Sequence, residues 1–278
     1  QAVQDYSDYD FWCATSTGKD STVTLDLVQQ IIPDIKVMFN NTSCDAPDTY
    51  KIVKSHSSWV IVNPKEGFYQ WQKRLDFIPR RFSRACCTIF KENNGDLFLR
   101  QQNSKVLQFM GVRNDESNTR TDREYFSKNE KSQTLNFTSI QCLPIRKWSE
   151  LDVWLYMIHN GLEINPQYKK GYKRVGCMVV CPFATKRSWV LDRYWQKNAY
   201  DRWHNILQQH FINNSEWMVF NCTLLEYHSC WNGGFGRINP TEEVINEFME
   251  YKGITDRNIA LQYFNKTCCE CGKNVRQN

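Results

Sequence analysis

Residues 11–22 read Phe11-Trp12-Cys13-Ala14-Thr15-Ser16-Thr17-Gly18-Lys19-Asp20-Ser21-Thr22, and the rest of the chain falls into place around them. An apolar run gives way to small and hydroxylic residues, after which Val23, Leu27, Val28, Ile31 and Ile32 recur at helical spacing. The pattern predicts a strand, a tight turn and the N-terminus of an amphipathic helix. Such a turn aims backbone N–H groups and the positive end of the helix dipole at one point. Gly18 allows close approach, Lys19 adds a cation, and Ser16, Ser21 and Thr22 add hydroxyls. A phosphate chain is the expected guest. The common phosphate loop is excluded, because the positions where it carries its first Gly and its Ser or Thr after the Lys hold Cys13 and Asp20.

Working outward, apolar runs at 35–39, 59–62, 106–112 and 139–143 alternate with helical stretches such as 46–54. This predicts an α/β fold, a Rossmann-like parallel sheet of about five strands with flanking helices. Ligands of such sheets sit at the carboxyl ends of the strands. Asn40-Asn41-Thr42 and Gly111-Val112-Arg113-Asn114 end their strands at the rim that holds the Gly18 turn. Residues 118–132 are polar and expected to be a solvated loop. Ser149 and Asp152 have the capping-box spacing ahead of another helix. Beyond Gly161 the periodicity is helical, at 189–207 and 242–251. A boundary near 165 divides a nucleotide-binding α/β domain (1–165) from a mainly helical, Cys-containing part (166–278).

The 278 residues suffice for a substantial core, and 41% hydrophobic with 23% charged residues is an ordinary globular balance. A net charge of +5 permits a polyanionic partner, but the pI of about 8.5 is below that of most dedicated nucleic-acid domains. No apolar run approaches the roughly 20 residues of a membrane span, so no membrane partner is expected. Seven of the 12 cysteines are clustered, at 86–87, 177–181 and 268–271, and no signal peptide is expected. The expectation is a reducing, cytoplasmic setting with metal or redox chemistry.

Ser16-Thr17-Gly18-Lys19-Asp20-Ser21 resembles the Ser-Gly-Gly-Lys-Asp-Ser pyrophosphate (PP) loop of the adenine nucleotide α-hydrolases, with Thr17 replacing the first Gly. Further matches are similar to the phosphoadenosine phosphosulfate (PAPS) reductase family within that superfamily. They are Phe39-Asn40-Asn41-Thr42 with Pro47-Asp48-Thr49-Tyr50, Arg84-Ala85-Cys86-Cys87-Thr88, Gly111 through Ser117, Pro144-Ile145 with Trp148, and Arg174-Val175-Gly176-Cys177 with Cys181-Pro182. The resemblance covers roughly 11–185. It implies a nucleotide site built from Ser16, Thr17, Gly18, Lys19, Asp20, Ser21, Asn41, Thr42, Gly111, Arg113 and Glu116. Lys19, Asp20 and Arg113 would carry the chemistry. Arg113 suits a bidentate grip on phosphate or sulfate, Glu116 would hold Arg113 or a ribose hydroxyl, and Asp20 would ligate Mg²⁺.

Cys86, Cys87, Cys177 and Cys181 resemble the four [4Fe–4S] ligands of one branch of the family, which places two residues between its later cysteines. Here Met178, Val179 and Val180 make three, and a Zn²⁺ site or buried thiol pairs are alternatives. Glu270-Cys271-Gly272 resembles the tail of the sulfonucleotide reductases, where the Cys attacks sulfur. Cys268 and Cys271 also read as half a zinc knuckle. Cys13, Cys44, Cys142, Cys222 and Cys230 are expected to pack, and His159, His204, His210 and His228 to take core or surface roles rather than catalytic ones. Lys169, Lys170, Lys173, Arg174, Lys186 and Arg187 either line the nucleotide site or, with nearby tryptophans, face a nucleic acid. Three functions remain open. The first is MgATP cleavage to AMP and pyrophosphate to activate an acceptor, a nucleic acid among the candidates, for sulfur from a donor protein. The second is reduction of PAPS or its unphosphorylated analogue APS through Cys271. The third is nucleotide binding without turnover.

Overall fold

The structure, a computed structural model, describes residues 2–75, 78–79, 85–116, 124–129, 137–183, 185–213, 242, 246, 249–250 and 255–258. Cys222, Cys230, Cys268, Cys271, His210 and His228, and most of the helix expected at 242–251, lie outside what is described of backbone or side chain. The chain divides into two compact units, residues 1–73 with 86–177 and residues 74–85 with 178–278.

The first unit is built on a six-stranded sheet. Its strands are Asp10–Thr15 (β1), Lys36–Asn40 (β2), Val60–Val62 (β3), Lys105–Met110 (β4), Phe126–Lys128 (β5) and Thr138–Cys142 (β6). The order is β3-β2-β1-β4-β6-β5. Five strands are parallel, as the alternation of apolar runs and helices requires, and β5 pairs antiparallel to β6 with Phe126 opposite Cys142. That sixth strand falls where a solvated loop was expected. Its three residues carry no alternating pattern that would announce it, and pairing with β6 decides its conformation.

Both sheet faces are covered. Cys13, Val37, Leu107, Phe109, Ile140 and Cys142 pack against Leu25 and Val28 of the helix Lys19–Gln29 (α2, after the short α1 at Ala2–Asp5). The alternate positions Trp12, Met38, Val62 and Val106 pack with Leu99 of Asn94–Gln102, a helix that continues a π-helical stretch at Thr88–Asn93. Strands buried on both faces read as unbroken apolar runs rather than alternating ones. Helices Pro47–Ser55 (α3), Phe68–Leu75 (α4), Ala85–Cys87 (α5) and Asn94–Gln102 (α6) complete the crossovers. Glu150–His159 (α7) begins with the expected capping box, Ser149 exchanging hydrogen bonds with Asp152, and lays Val153 and Met157 on Val23 of α2. Strand order runs outward in both directions from β1 and β4. This makes their adjoining carboxyl ends the switch point where such sheets bind ligands.

In the second unit, Thr185 caps the helix Lys186–Trp195, and Lys197–Asn213 follows it, with Trp203 and Leu207 fully buried. The single periodic stretch expected at 189–207 is thus two helices broken at Gln196. Among the described residues no helix is long and apolar enough to cross a membrane.

Candidate functional site

The turn after β1 is the expected one. Gly18 caps α2 in an extended conformation with no side-chain cap of its own, which leaves the first N–H groups of the helix for other acceptors. Ser21 ties the turn together by accepting from the Ser16 N–H at 3.1 Å and donating to the Gly18 carbonyl at 2.9 Å. Thr17 has φ +57°, a left-handed conformation that a β-branched residue resists. Two contacts hold it there. Its N–H donates to Thr15 Oγ1 at 3.1 Å, and its own hydroxyl accepts from Asn165 Nδ2 at 2.7 Å. Asn165 is buried and also donates to Thr49 on α3 at 3.1 Å.

Two cations converge on the start of α2, and both are buried: Lys19 is 6% exposed and Arg113 is 3%. Lys19 Nζ lies 2.9 Å from Asp20 Oδ2 and 3.6 Å from Glu150 Oε1. Arg113 Nε donates to Asp20 Oδ1 at 2.5 Å and Nη1 to Asp115 Oδ2 at 3.1 Å. Asp115 also accepts from the Glu150 N–H at the start of α7. Arg113 reaches this point because β4 ends directly against α2. A methyl group at Gly111 would stand 2.6 Å from the backbone of Asp20 and Ser21, so only glycine permits the approach.

Beside this cradle lies a cavity of about 600 Å³, and Ser16, Ser21 and Gly111 line both. Its other walls include Phe39, Asn40, Thr42, Gly95 and Asp96, with Arg174-Val175-Gly176 on one side. Arg174 is therefore a cavity residue, and Lys170 is spent on an ion pair with Asp48. Half-buried Asp45 also lines the space. Burial pushes its carboxyl above the usual range, opposed by hydrogen bonds from Thr42. Thr42 thus stands at the cavity as expected. Asn41 does not turn the same way: its amide bridges Asn63, Tyr50 and the Ser43 N–H, fixing the loop after β2. Glu116 is exposed on a single 3-10 turn, Asn114–Glu116.

As placed, Asp20 does not fit the Mg²⁺ role, because each of its oxygens is engaged by a buried cation. Cys86, Cys87, Cys177 and Cys181 are the four thiolates expected for a cluster. Cys86, Cys87 and Cys177 are half-buried in or beside the first unit and Cys181 belongs to the second. Among the described residues no three His, Cys, Asp or Glu side chains are grouped so as to hold a metal ion. Burial raises the Tyr50 phenol, and the charges of Asp45, Cys44 and Cys177 act in the same direction. Cys13 and Cys142 pack as expected, and burial pushes both thiols up to about 12.

Several working residues carry no signal in the sequence. Asp115 was hidden in a polar run. Asn165 and Tyr168 reach the turn from almost 150 positions away, and Tyr168 Oη accepts from the Lys19 N–H at 2.9 Å.

Strand order, turn and cavity define an α/β domain with an anion cradle and an adjoining cavity at the switch point of its sheet. The model of the phosphoadenosine phosphosulfate reductase domain matches residues 10–182, and the chain belongs to that family. An uncharacterized protein of Methanocaldococcus jannaschii is 31% identical over 204 residues, covering 71% of this chain and 41% of that protein. A second from the same organism is 26% identical and is covered to 48%, so the chain spans under half the length of these two relatives. An adenosine 5'-phosphosulfate reductase of Geobacillus kaustophilus is 29% identical over 184 residues, 63% of this chain and 74% of the enzyme. The crystal structure of a PAPS reductase from Candida auris in complex with phosphate shares the fold, with a TM-score of 0.50 at 19% identity over 63% of this chain and 86% of that one.

Proposed function

We propose that the chain binds ATP with its β and γ phosphates on the cradle and its nucleoside in the adjoining cavity, and cleaves it between the α and β phosphates. The observation that carries this reading is the pairing of two buried cations, Lys19 and Arg113, with one helix N-terminus. Pyrophosphate leaves with several negative charges, and preorganised cations beside backbone N–H groups stabilise charge where it develops. An oxygen of the acceptor attacks the α phosphorus, the bond to the bridging oxygen breaks, and the electron pair departs with pyrophosphate. A sulfur nucleophile then displaces AMP from the adenylated acceptor. Asp20 holds the two cations until the phosphates take them over. The acceptor, a nucleic acid among the candidates, and a sulfur-donor protein are partners of this reading.

A second reading is favoured by the similarity to adenosine 5'-phosphosulfate reductases and by Glu270-Cys271-Gly272. Here the Cys271 thiolate attacks the sulfate sulfur of APS or PAPS. The sulfur–oxygen bond to the nucleotide breaks and the nucleotide leaves. A dithiol then releases sulfite from the thiosulfonate while becoming a disulfide.

One assay separates them: purified protein with Mg²⁺ and either ATP, or APS or PAPS with a dithiol, followed by phosphorus NMR and sulfite detection. AMP and pyrophosphate support the first reading. Sulfite that disappears in Cys271→Ser supports the second and overturns the first.

A further inference from the structure

Tyr168 sits on a one-turn helix, Pro166–Lys169, that is fastened unusually well. Asn165 caps it by accepting from the Gln167 N–H and bonds Thr17 and Thr49, and Gln167 Nε2 donates to Asp48 at 2.7 Å while wholly buried. The Tyr168 ring packs edge-on against Trp154, 5.0 Å between centroids. These contacts leave the phenol one place to go, and its oxygen lands at the mouth of α2. A Cβ added to Gly18 would be 3.4 Å from it. The phenol accepts from the Lys19 N–H at 2.9 Å and makes no other hydrogen bond among the described residues. A phenol that accepts one bond still has its own proton to donate. That proton is held at the N-terminus of α2, beside Gly18 and the Lys19 N–H, where an anion is expected.

We propose that Tyr168 is a binding residue of the cradle, donating its O–H to the anionic group of the bound nucleotide while its oxygen orients the Lys19 N–H. The proposal rests on the nucleotide-binding reading above. The donor must be neutral, since a phenolate would repel the phosphates. Burial pushes the Tyr168 phenol up to about 12, with Asp20 and Glu150 acting in the same direction and the Lys19 N–H and Arg174 opposing.

The test is calorimetric titration of the full chain with inorganic pyrophosphate, ATP and adenosine, for the wild type and Tyr168→Phe. Phenylalanine keeps the ring packing and removes only the hydroxyl. The expected result is pyrophosphate and ATP binding weakened about tenfold or more, the order of one hydrogen bond to a charged group, with adenosine binding unchanged. Unchanged or tighter pyrophosphate binding overturns the donor role. A wild type that binds neither ATP nor pyrophosphate overturns it together with the nucleotide reading, which distinguishes the two failures. Should Tyr168→Phe not fold, 3-fluorotyrosine placed at 168 gives a second readout. A fluorine resonance that shifts when pyrophosphate is added upholds the contact, and one that stays put overturns it.

Discussion

Replacing Gly111 by alanine tests how the cradle is put together. The added methyl would stand 2.6 Å from the Asp20 carbonyl carbon and oxygen and from the Ser21 nitrogen. Ordinary van der Waals contact begins near 3.4 Å, so β4 and α2 must part by roughly 0.8 Å, and the obstacle is backbone, which cannot rotate away. Overpacking of that kind costs about 1–3 kcal/mol. For a unit of this size each kcal/mol lowers the melting temperature by roughly 2–4 °C, so a loss of about 4–8 °C is expected from a cost near 2 kcal/mol. Binding should suffer as well. The same displacement moves Arg113, two residues on, away from Asp20 and from the N–H groups of α2, so pyrophosphate binding should weaken by about tenfold or more, the order of one hydrogen bond to a charged group. Thermal unfolding followed by circular dichroism, with calorimetric titration of pyrophosphate, reads both. Gly67→Ala is the control, because its methyl would meet nothing nearer than 3.7 Å. A Gly111→Ala protein that melts within 1 °C of wild type (the resolution of such a melt, about 0.3 kcal/mol) and binds pyrophosphate equally would refute the packing argument.

At position 17 two substitutions should rank. Thr17→Gly loses the Asn165 hydrogen bond but relieves a left-handed residue worth about 1–2 kcal/mol, whereas Thr17→Ala loses the bond and keeps most of the strain; urea unfolding should find the alanine variant less stable, and equal midpoints would count against strain in the turn. Asp20→Asn leaves Lys19 and Arg113 buried without their shared carboxylate, a loss of about 3 kcal/mol; added pyrophosphate should raise the melting temperature of this variant more than that of wild type, and a smaller rise would deny that the anion replaces Asp20. Burial raises the Cys13 and Cys142 thiols to about 12, so the unfolded chain loses those protons first; stability is full below the ordinary thiol range and falls by about 1.4 kcal/mol per thiol per pH unit from roughly pH 8.5 toward 12. The urea midpoint should therefore drop between pH 8 and 10, and drop less in Cys13→Ala; parallel curves would show the thiol to be unshifted.

What could be read from the sequence divides along a physical line. The strands, the turn at Gly18 and the Ser149 cap are legible because each is fixed by neighbours a few positions away. Apolar spacing, a glycine before a helix and a hydroxyl three residues ahead of a carboxylate are local facts. Lys19, Asp20 and Arg113 were legible for a different reason, the resemblance of two short motifs to a family, and the structure brings those motifs together across β1 and β4. Tyr168, Asn165 and Asp115 obey neither rule. A tyrosine beside two lysines and an asparagine before a proline look like any solvated turn, and only the fold shows that Asn165 reaches Thr17 and Tyr168 reaches Lys19. Thr17 joins the two kinds of information. In the motif it is a departure, a threonine where the loop it resembles has glycine, and nothing local says how the departure is tolerated. The structure answers with Asn165, a buried amide that takes the threonine hydroxyl as its acceptor. A glycine there would be free of strain and would leave that amide one acceptor short. Thr17 and Asn165 are therefore a matched pair, and the departure at 17 is intelligible only once 165 is seen beside it.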